Sequence, residues 1–297
     1  MSVTKSRNEV ASYLKTHPKV TLSWLLEASG LSKNGWYYKP ETKIEPVLDK
    51  QRIEAVLIES PYYGYKRVAK QLKRTGQVIN HKRVYKIMGE YYLLQVRKSK
   101  KVPHTTNSRH NLLVYANEVQ HLGKVLPYHV WVSDVTYVWI GDKWAYLALI
   151  MDQGSRRIVG WHLSTSMHRS LCISALNQAL EHNQAPVYHH SDRGVQYCSH
   201  DYINILKKHQ IIPSMAAVGM SVDNPYAESL NRSIKVEEVY LHAYESLAEA
   251  KNSIQRYIEV YNTKRLHSSL GYIPGVEYEA NYQLENLSKV DRLVVSN

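Results

Sequence analysis

The chain lacks several things that would narrow its function at once. It has no phenylalanine and only two cysteines, Cys172 and Cys198, in 297 residues. With two cysteines and no CxxC pair, neither a disulfide framework nor a four-ligand zinc site is expected, and a reducing setting fits. No apolar run approaches the roughly 20 residues that span a bilayer, and residues 1–19 are polar and basic, without the apolar centre of a signal peptide. Twenty-four tyrosines stand where phenylalanine is missing. Tyrosine fills the same space but brings a hydroxyl that needs an outlet.

The charge is uneven. Residues 1–128 carry 23 Lys and Arg against 9 Asp and Glu, whereas residues 129–297 carry 15 against 17. A basic first part suits a polyanion, and the neutral remainder points to a different task. Residues 1–40 read as a small helix-turn-helix-like unit, with Leu22, Leu25 and Leu26 at helical spacing, a stop at Gly30 and a helix start at Ser32. "KPETKIEPVLD" reads as a linker. Residues 48–96 then read as a basic helix-turn-helix domain. Val68 and Leu72 share one apolar face, and Val84, Ile87 and Met88 share another. Lys66, Arg67, Lys70, Lys82, Arg83 and Lys86 are left as candidates for DNA phosphates, beside Lys73 and Arg74. The bland alternative is a solvated basic face. Residues 97–124 read as a basic linker.

From residue 129 the pattern changes. "HVWVSDVTYVWI", "WAYLALIMD" and "RRIVGWHL" read as three antiparallel strands, the first two joined by a turn at Asp142-Lys143. A helix over 168–183, a strand over 186–190, a helix near 199–209, a strand in "IIPSMA" and two long helices, about 224–240 and 244–262, follow. That order is the order of a ribonuclease-H-like core, a mixed five-stranded sheet with helices, and it is expected to fill 125–280 before a tail at 281–297. The fold class is therefore α+β.

Three acids occupy unusual places. Asp134 interrupts a β-run, where a buried unpaired charge is costly. Asp192, in "HHSDRGVQY", ends a strand just before a glycine turn. Glu228 lies early on the helix of "DNPYAESLNRSIK". If they meet, they make an oxygen-rich site suited to Mg²⁺ or Mn²⁺. Two such ions activate one oxygen and stabilise another in phosphoryl transfer. The alternatives are an edge acid facing water, a turn acid and a surface helix acid. Arg232 and Lys235, four and seven residues past Glu228, share its face and are candidates for phosphate. Asp223 is the rival third acid, better suited to capping, and Asn224 stands beside it at the helix start. His190 orients the site or is structural. Asp152, Arg156 and Arg157 read as structural.

Fifty-seven residues separate the first two acids and 35 the second pair. With "YGYKRVAKQL", "NHKRVYKIM", "WVSDVTYV", "YLALIMDQGSRRIVGW", "HHSDRGVQY", "SVDNPYAESLNRSIKVEEVY" and "YNTKRLHSSLGYIPGVEYE" in this order, the chain resembles the DDE transposases of bacterial insertion sequences, with a retroviral-integrase-type core. More narrowly, it is similar to the downstream-frame product of two-frame elements. The resemblance covers about residues 50–280. It implies that Asp134, Asp192 and Glu228 are catalytic and hold two divalent ions. It implies cleavage of double-stranded element ends and joining of a 3′-hydroxyl to target DNA, without a covalent enzyme intermediate. It also implies a homo-oligomer, at least a dimer on DNA, an upstream-frame partner protein, no membrane association, and a cytoplasmic, nucleoid-associated setting in a bacterium. "YNTKRLHSSLGYIP" is implied to pack beside the catalytic helix and face DNA. Leu230 stands where family members commonly carry phenylalanine. The two-cysteine/two-histidine zinc domain of retroviral integrases is absent. A regulator with a decayed core and a nuclease without strand joining are the rival expectations.

Overall fold

The structure, a computed structural model, describes residues 3–37, 46–95, 112–217 and 223–295. It divides into two compact units, 1–51 and 52–297. The first holds α1 (Val3–Thr16), α2 (Leu22–Ser29) and α3 (Lys33–Tyr37). Leu25 and Leu26 of α2 are buried. Gly30 ends the helix at φ 67, where its N–H and that of Leu31 satisfy the carbonyls of Glu27 and Leu26. A left-handed turn of this kind favours glycine.

The second unit begins within α4 (Pro46–Glu59) and continues with α5 (Tyr65–Arg74) and α6 (His81–Glu90). The Asn80 side chain accepts from Lys82 N–H at 2.9 Å and starts α6. Ile53, Val68, Leu72, Val84, Ile87 and Met88 form one cluster, as the apolar spacing predicts. Leu266, from the far end of the sequence, is buried in the same cluster. The Tyr63 hydroxyl accepts from Leu266 N–H at 2.8 Å. The basic helical group is thus seated on the core rather than set apart from it.

The core is a five-stranded sheet in the order β3-β2-β1-β4-β5. β1 (Val130–Ile140), β2 (Lys143–Asp152) and β3 (Ile158–Ser164) run antiparallel. The first turn falls at Gly141-Asp142, one residue earlier than expected, where Gly141 takes φ 57. β4 (Tyr188–Ser191) lies parallel to β1, and β5 (Ile212–Met215) parallel to β4. α7 (Arg169–His182) and α8 (His200–Lys208) cover one face over Trp131, Ala148 and Ile150. α9 (Pro225–Glu237) and α10 (Leu247–Thr263) cover the other over Val130, Val132, Leu147 and Leu149. Buried on both faces, the strands are apolar along most of their length.

Two segments differ from expectation. Residues 97–111 lie outside the described residues, but 112–124 are part of the core. Leu112 and Tyr115 pack on the α7 and α8 side, Val119 and Leu122 on the other, and the Ala116 carbonyl accepts from Met215 N–H beside β5. Their apolar residues sit among polar ones without a clear period, so they read as linker. The expected tail continues α11 (Gly275–Val295). Glu279 in α11 is buried and takes Ser155 Oγ–H at 2.7 Å and the Arg157 guanidinium.

Gly160 on β3 faces α7 without a side chain, and an added Cβ would overlap the Ala175 carbonyl oxygen and come within 2.7 Å of Ala179 Cβ. Gly160→Ala is therefore expected to lower stability by about 1–3 kcal/mol through overpacking. A fall in the urea midpoint at unchanged m-value checks it; an unchanged midpoint would show that α7 has room to retreat.

Candidate active site

The site forms where β1, the end of β4 and helix α9 meet. β1 and β4 pair with Val132 beside His190. Asp134 lies two residues beyond Val132 on β1, and Asp192 directly follows the last residue of β4. β4 ends at Ser191, so Asp192 leaves the sheet in a tight turn. Gly194 N–H donates to Asp192 Oδ1 at 2.9 Å. A side chain at Gly194 would press on that oxygen at 3.0 Å, which explains the glycine of "SDRG". A narrow cleft is lined by Asp134, Asp192, Tyr137 and Gln196.

Asp134 is half-buried. Its Oδ1 accepts Val135 N–H at 2.8 Å, and its Oδ2 accepts Asn231 Nδ2–H at 2.7 Å. Burial, then the negative charge of Asp192 and after it that of Glu228, push its carboxyl up to about 7, against the hydrogen bonds from Val135 and Asn231. The three acids therefore share one field. They do not close into a complete ligand set: among the described residues no three Asp, Glu, His or Cys side chains group tightly enough to hold a metal ion. The expected convergence is thus partial. Asn231 holds one oxygen of Asp134, like charges keep apart, and Glu228 is exposed on the first turn of α9.

α9 presents Glu228, Asn231 and Lys235 at spacings of three and four, one helical face. Lys235 is buried, with Nζ 3.8 Å from the centroid of the Tyr137 ring. Burial lowers its ammonium pKa, and the Asp134 charge works against that. Arg232 is exposed. Sequence reading missed Asn231; its signal was a polar residue three positions past Glu228. The helix is fixed at its start, where Asn224 Nδ2 donates to the Ser133 carbonyl at 3.1 Å. His190 is buried between strands and helix: Nε2–H donates to the Asp223 carbonyl at 3.0 Å, and Nδ1 lies 2.9 Å from Ser214 Oγ. Asp223 does not cap the helix; its Oδ2 accepts Ala217 N–H at 2.8 Å. As a rival third acid it is committed elsewhere.

Residues 125–221 and 209–274 each match the integrase core domain family, and residues 46–101 match the HTH-like domain family. The transposase for insertion sequence element IS904 of Lactococcus lactis is 35% identical over 242 residues, 80% of this chain and 95% of its own length. The insertion element IS600 uncharacterized 31 kDa protein of Shigella sonnei is 33% identical over 270 residues, 87% of this chain and 98% of its own. The chain belongs to the insertion-sequence transposases. Among solved structures, the HTLV-2 integrase catalytic core domain in complex with magnesium is 18% identical, covers 52% of this chain and 99% of its own, and has a TM-score of 0.44.

In this transposase the remaining candidates separate by environment. Lys66, Lys70, Lys82 and Lys86 are exposed on α5 and α6. Lys70 Nζ lies 5.2 Å from the Tyr272 ring centroid, and Lys86 pairs with Glu90 at 3.8 Å. Arg83 is half-buried. Arg67 is drawn inward, 3.8 Å from Glu237. Glu237, on the far side of α9 from Glu228, is the hub of a buried network. Its carboxylate accepts Arg265 Nε–H at 2.7 Å and a terminal N–H at 2.6 Å, and Tyr257 O–H at 2.9 Å. Asp152 holds its turn through Tyr128 N–H and Ser155 N–H, as a structural residue.

Asp134 binds a proton more tightly folded than at its ordinary value of 3.8. Such a group costs stability as pH rises between those values, and the cost is complete above the folded value. In chelator, Asp134→Asn is expected to be more stable than the parent by about 1–3 kcal/mol at pH 8. The advantage should fade as pH falls below 4. Thermal unfolding across pH 3.5–8.5 checks this, and equal midpoints at pH 8 would contradict the crowding of charge.

Proposed function

We propose that the protein cuts the ends of its element and joins the freed 3′-hydroxyl to target DNA, with Asp134, Asp192 and Glu228 as the catalytic acids. The observation that carries this is the Asp134 carboxyl, which feels the charges of two other carboxylates and accepts hydrogen bonds from Val135 N–H and Asn231 Nδ2–H. All-oxygen donors of this charge fit hard divalent cations, Mg²⁺ or Mn²⁺, two per site. Bound there, such ions supply Lewis-acid activation of the attacking oxygen and neutralise the leaving one.

The chain's own residues set the geometry. Asn231 fixes one Asp134 oxygen and the Val135 amide the other, and each oxygen keeps a second lone pair. The Gly194 amide fixes Asp192. Glu228, long and exposed, would be the third holder of such ions, and the charges of the two aspartates oppose its approach. Lys235 adds positive charge beside Asp134 and Arg232 extends it outward, where a scissile phosphate would lie. In each step an oxygen, of water or of a DNA 3′-hydroxyl, attacks phosphorus, one P–O bond forms as another breaks, and the departing oxygen leaves as a 3′-hydroxyl. Lys66, Lys70, Lys82, Arg83 and Lys86 hold the DNA backbone near α5 and α6, with Arg67 at their inner edge. Two element ends are paired by a homo-oligomer, at least a dimer, in a bacterial cytoplasm at the nucleoid, with an upstream-frame partner supplying further DNA contacts.

An end oligonucleotide with Mg²⁺, scored for nicked and joined product, tests this. Asp192→Asn is expected to reduce both to background while DNA binding persists; loss of binding together with catalysis would remove Asp192 from the acid set. Asn231→Ala, which frees Asp134, is expected to slow both steps about 10–100-fold and to raise the Mg²⁺ concentration required. An unchanged Mg²⁺ requirement would leave Asn231 a packing residue.

A further inference from the structure

Behind α9, one helical face away from the acids, lies a second cavity of about 500 Å³. Its wall draws on four distant parts of the chain: Arg67 from α5, Arg156 from the turn between β2 and β3, Arg265 and His267 beyond α10, and Ser229 and Ser233 from α9. Three guanidinium groups thus border one space, and the nearby carboxylate, Glu237, is bound by Arg265 at 2.6 Å and lies 3.8 Å from Arg67. Arg156 lies with its guanidinium carbon 4.1 Å from the centroid of the Tyr226 ring. That cation–π contact holds the guanidinium beside the cavity.

One donor here is buried without a partner: Arg156 Nε lacks a hydrogen bond. His267, only 5% exposed, is hydrogen-bonded to the Tyr261 backbone. A buried, unsatisfied polar atom costs about 1–3 kcal/mol, so such atoms mark a missing partner. Arg265 Nη1 lies 3.2 Å from His267 Nδ1. After burial itself, the charges of Arg265, Arg67 and Arg156 hold the imidazole pKa down to about 3, which reports a strongly positive field in the cavity. Ser268 and Ser269 place exposed hydroxyl-bearing residues at the rim.

We infer that this cavity is a phosphoryl-binding pocket that takes a phosphate group of the DNA strand, held by Arg156 and Arg67 with Ser229 at its mouth and His267 in its wall. Guanidinium forks match the tetrahedral oxygens of phosphate. Because Arg67 belongs to α5 and Ser229 to the acid-bearing helix, an occupied pocket would link DNA held by the basic helices to the position of Glu228. The pocket rests on the proposed transposase function only for the source of its phosphate. An internal phosphodiester and a 5′-phosphate end offer the same oxygens; the depth of His267 favours the end, which is less encumbered.

The test uses the full chain, Arg156→Gln, and Ser229→Asp, the last placing a negative charge at an exposed mouth position without touching the core. Each variant is first matched to the parent in thermal midpoint in phosphate-free buffer; should Arg156→Gln fold poorly, Ser229→Asp carries the test. Inorganic phosphate is titrated by thermal shift, and duplex oligonucleotides with a 5′-phosphate or a 5′-hydroxyl by anisotropy. The parent is expected to be stabilised by phosphate and the variants not, with oligonucleotide affinity falling about tenfold. A loss confined to the phosphorylated duplex assigns the terminal phosphate, and an equal loss on both assigns the internal diester. Unchanged affinity in both variants overturns the pocket, as does a response to inorganic phosphate alone. Nicking of an end oligonucleotide by the parent is scored in parallel: absent nicking with an intact pocket response sinks the transposase reading alone, and normal nicking with no pocket response sinks the pocket alone.

Discussion

The face of α9 that carries Glu228, Asn231 and Lys235 stays turned toward Asp134 only if the helix keeps one rotation and one height above β1. Each residue of a helix turns the face by about 100°, so a slip of a single position would remove Glu228, Asn231 and Lys235 together. The structure prevents this by fastening both ends. At the start, Asn224 reaches the Ser133 carbonyl and His190 reaches the Asp223 carbonyl. At the finish, Glu237 is gripped by Arg265 and Tyr257. A buried ion pair of this kind adds little net stability over an apolar substitute, yet removing one partner costs about 3–5 kcal/mol. Its contribution here is to geometry.

The interior answers the shortage of phenylalanine in the same manner. Tyrosine fills core positions, and the hydroxyls tie elements together: Tyr202 to His189, Tyr244 to Glu238, Tyr257 to Glu237. Leu230 is buried in the core on the inner side of α9. A ring with a polar tip packs like phenylalanine but specifies its neighbour, so these contacts fix orientation as well as volume.

Much of this was legible beforehand, for reasons visible in particular residues. The apolar runs around Asp134 and the turn after it have the period and punctuation of strands, and the helices from 225 to 263 have apolar residues on one side. The strand-end place of Asp192 follows from "APVYHHSD" before a glycine. What escaped was decided at long range. Nothing near Arg67 in sequence announces Glu237, 170 positions away, so a basic helix residue read as a DNA contact is partly a structural one. Residues 112–124 are short of helical or strand period because they follow the contours of elements already formed. Asp223 looked like a cap by position, but the backbone of Ala217 claims its carboxylate.

Leu266 completes the apolar cluster beneath α5 and α6, and its N–H is held by Tyr63. During synthesis, α4 to α6 leave the ribosome long before that leucine is made. At about 5–20 residues per second the interval is on the order of ten seconds or more. The apolar cluster of α4 to α6 is therefore completed only after the sheet and α10 have been made.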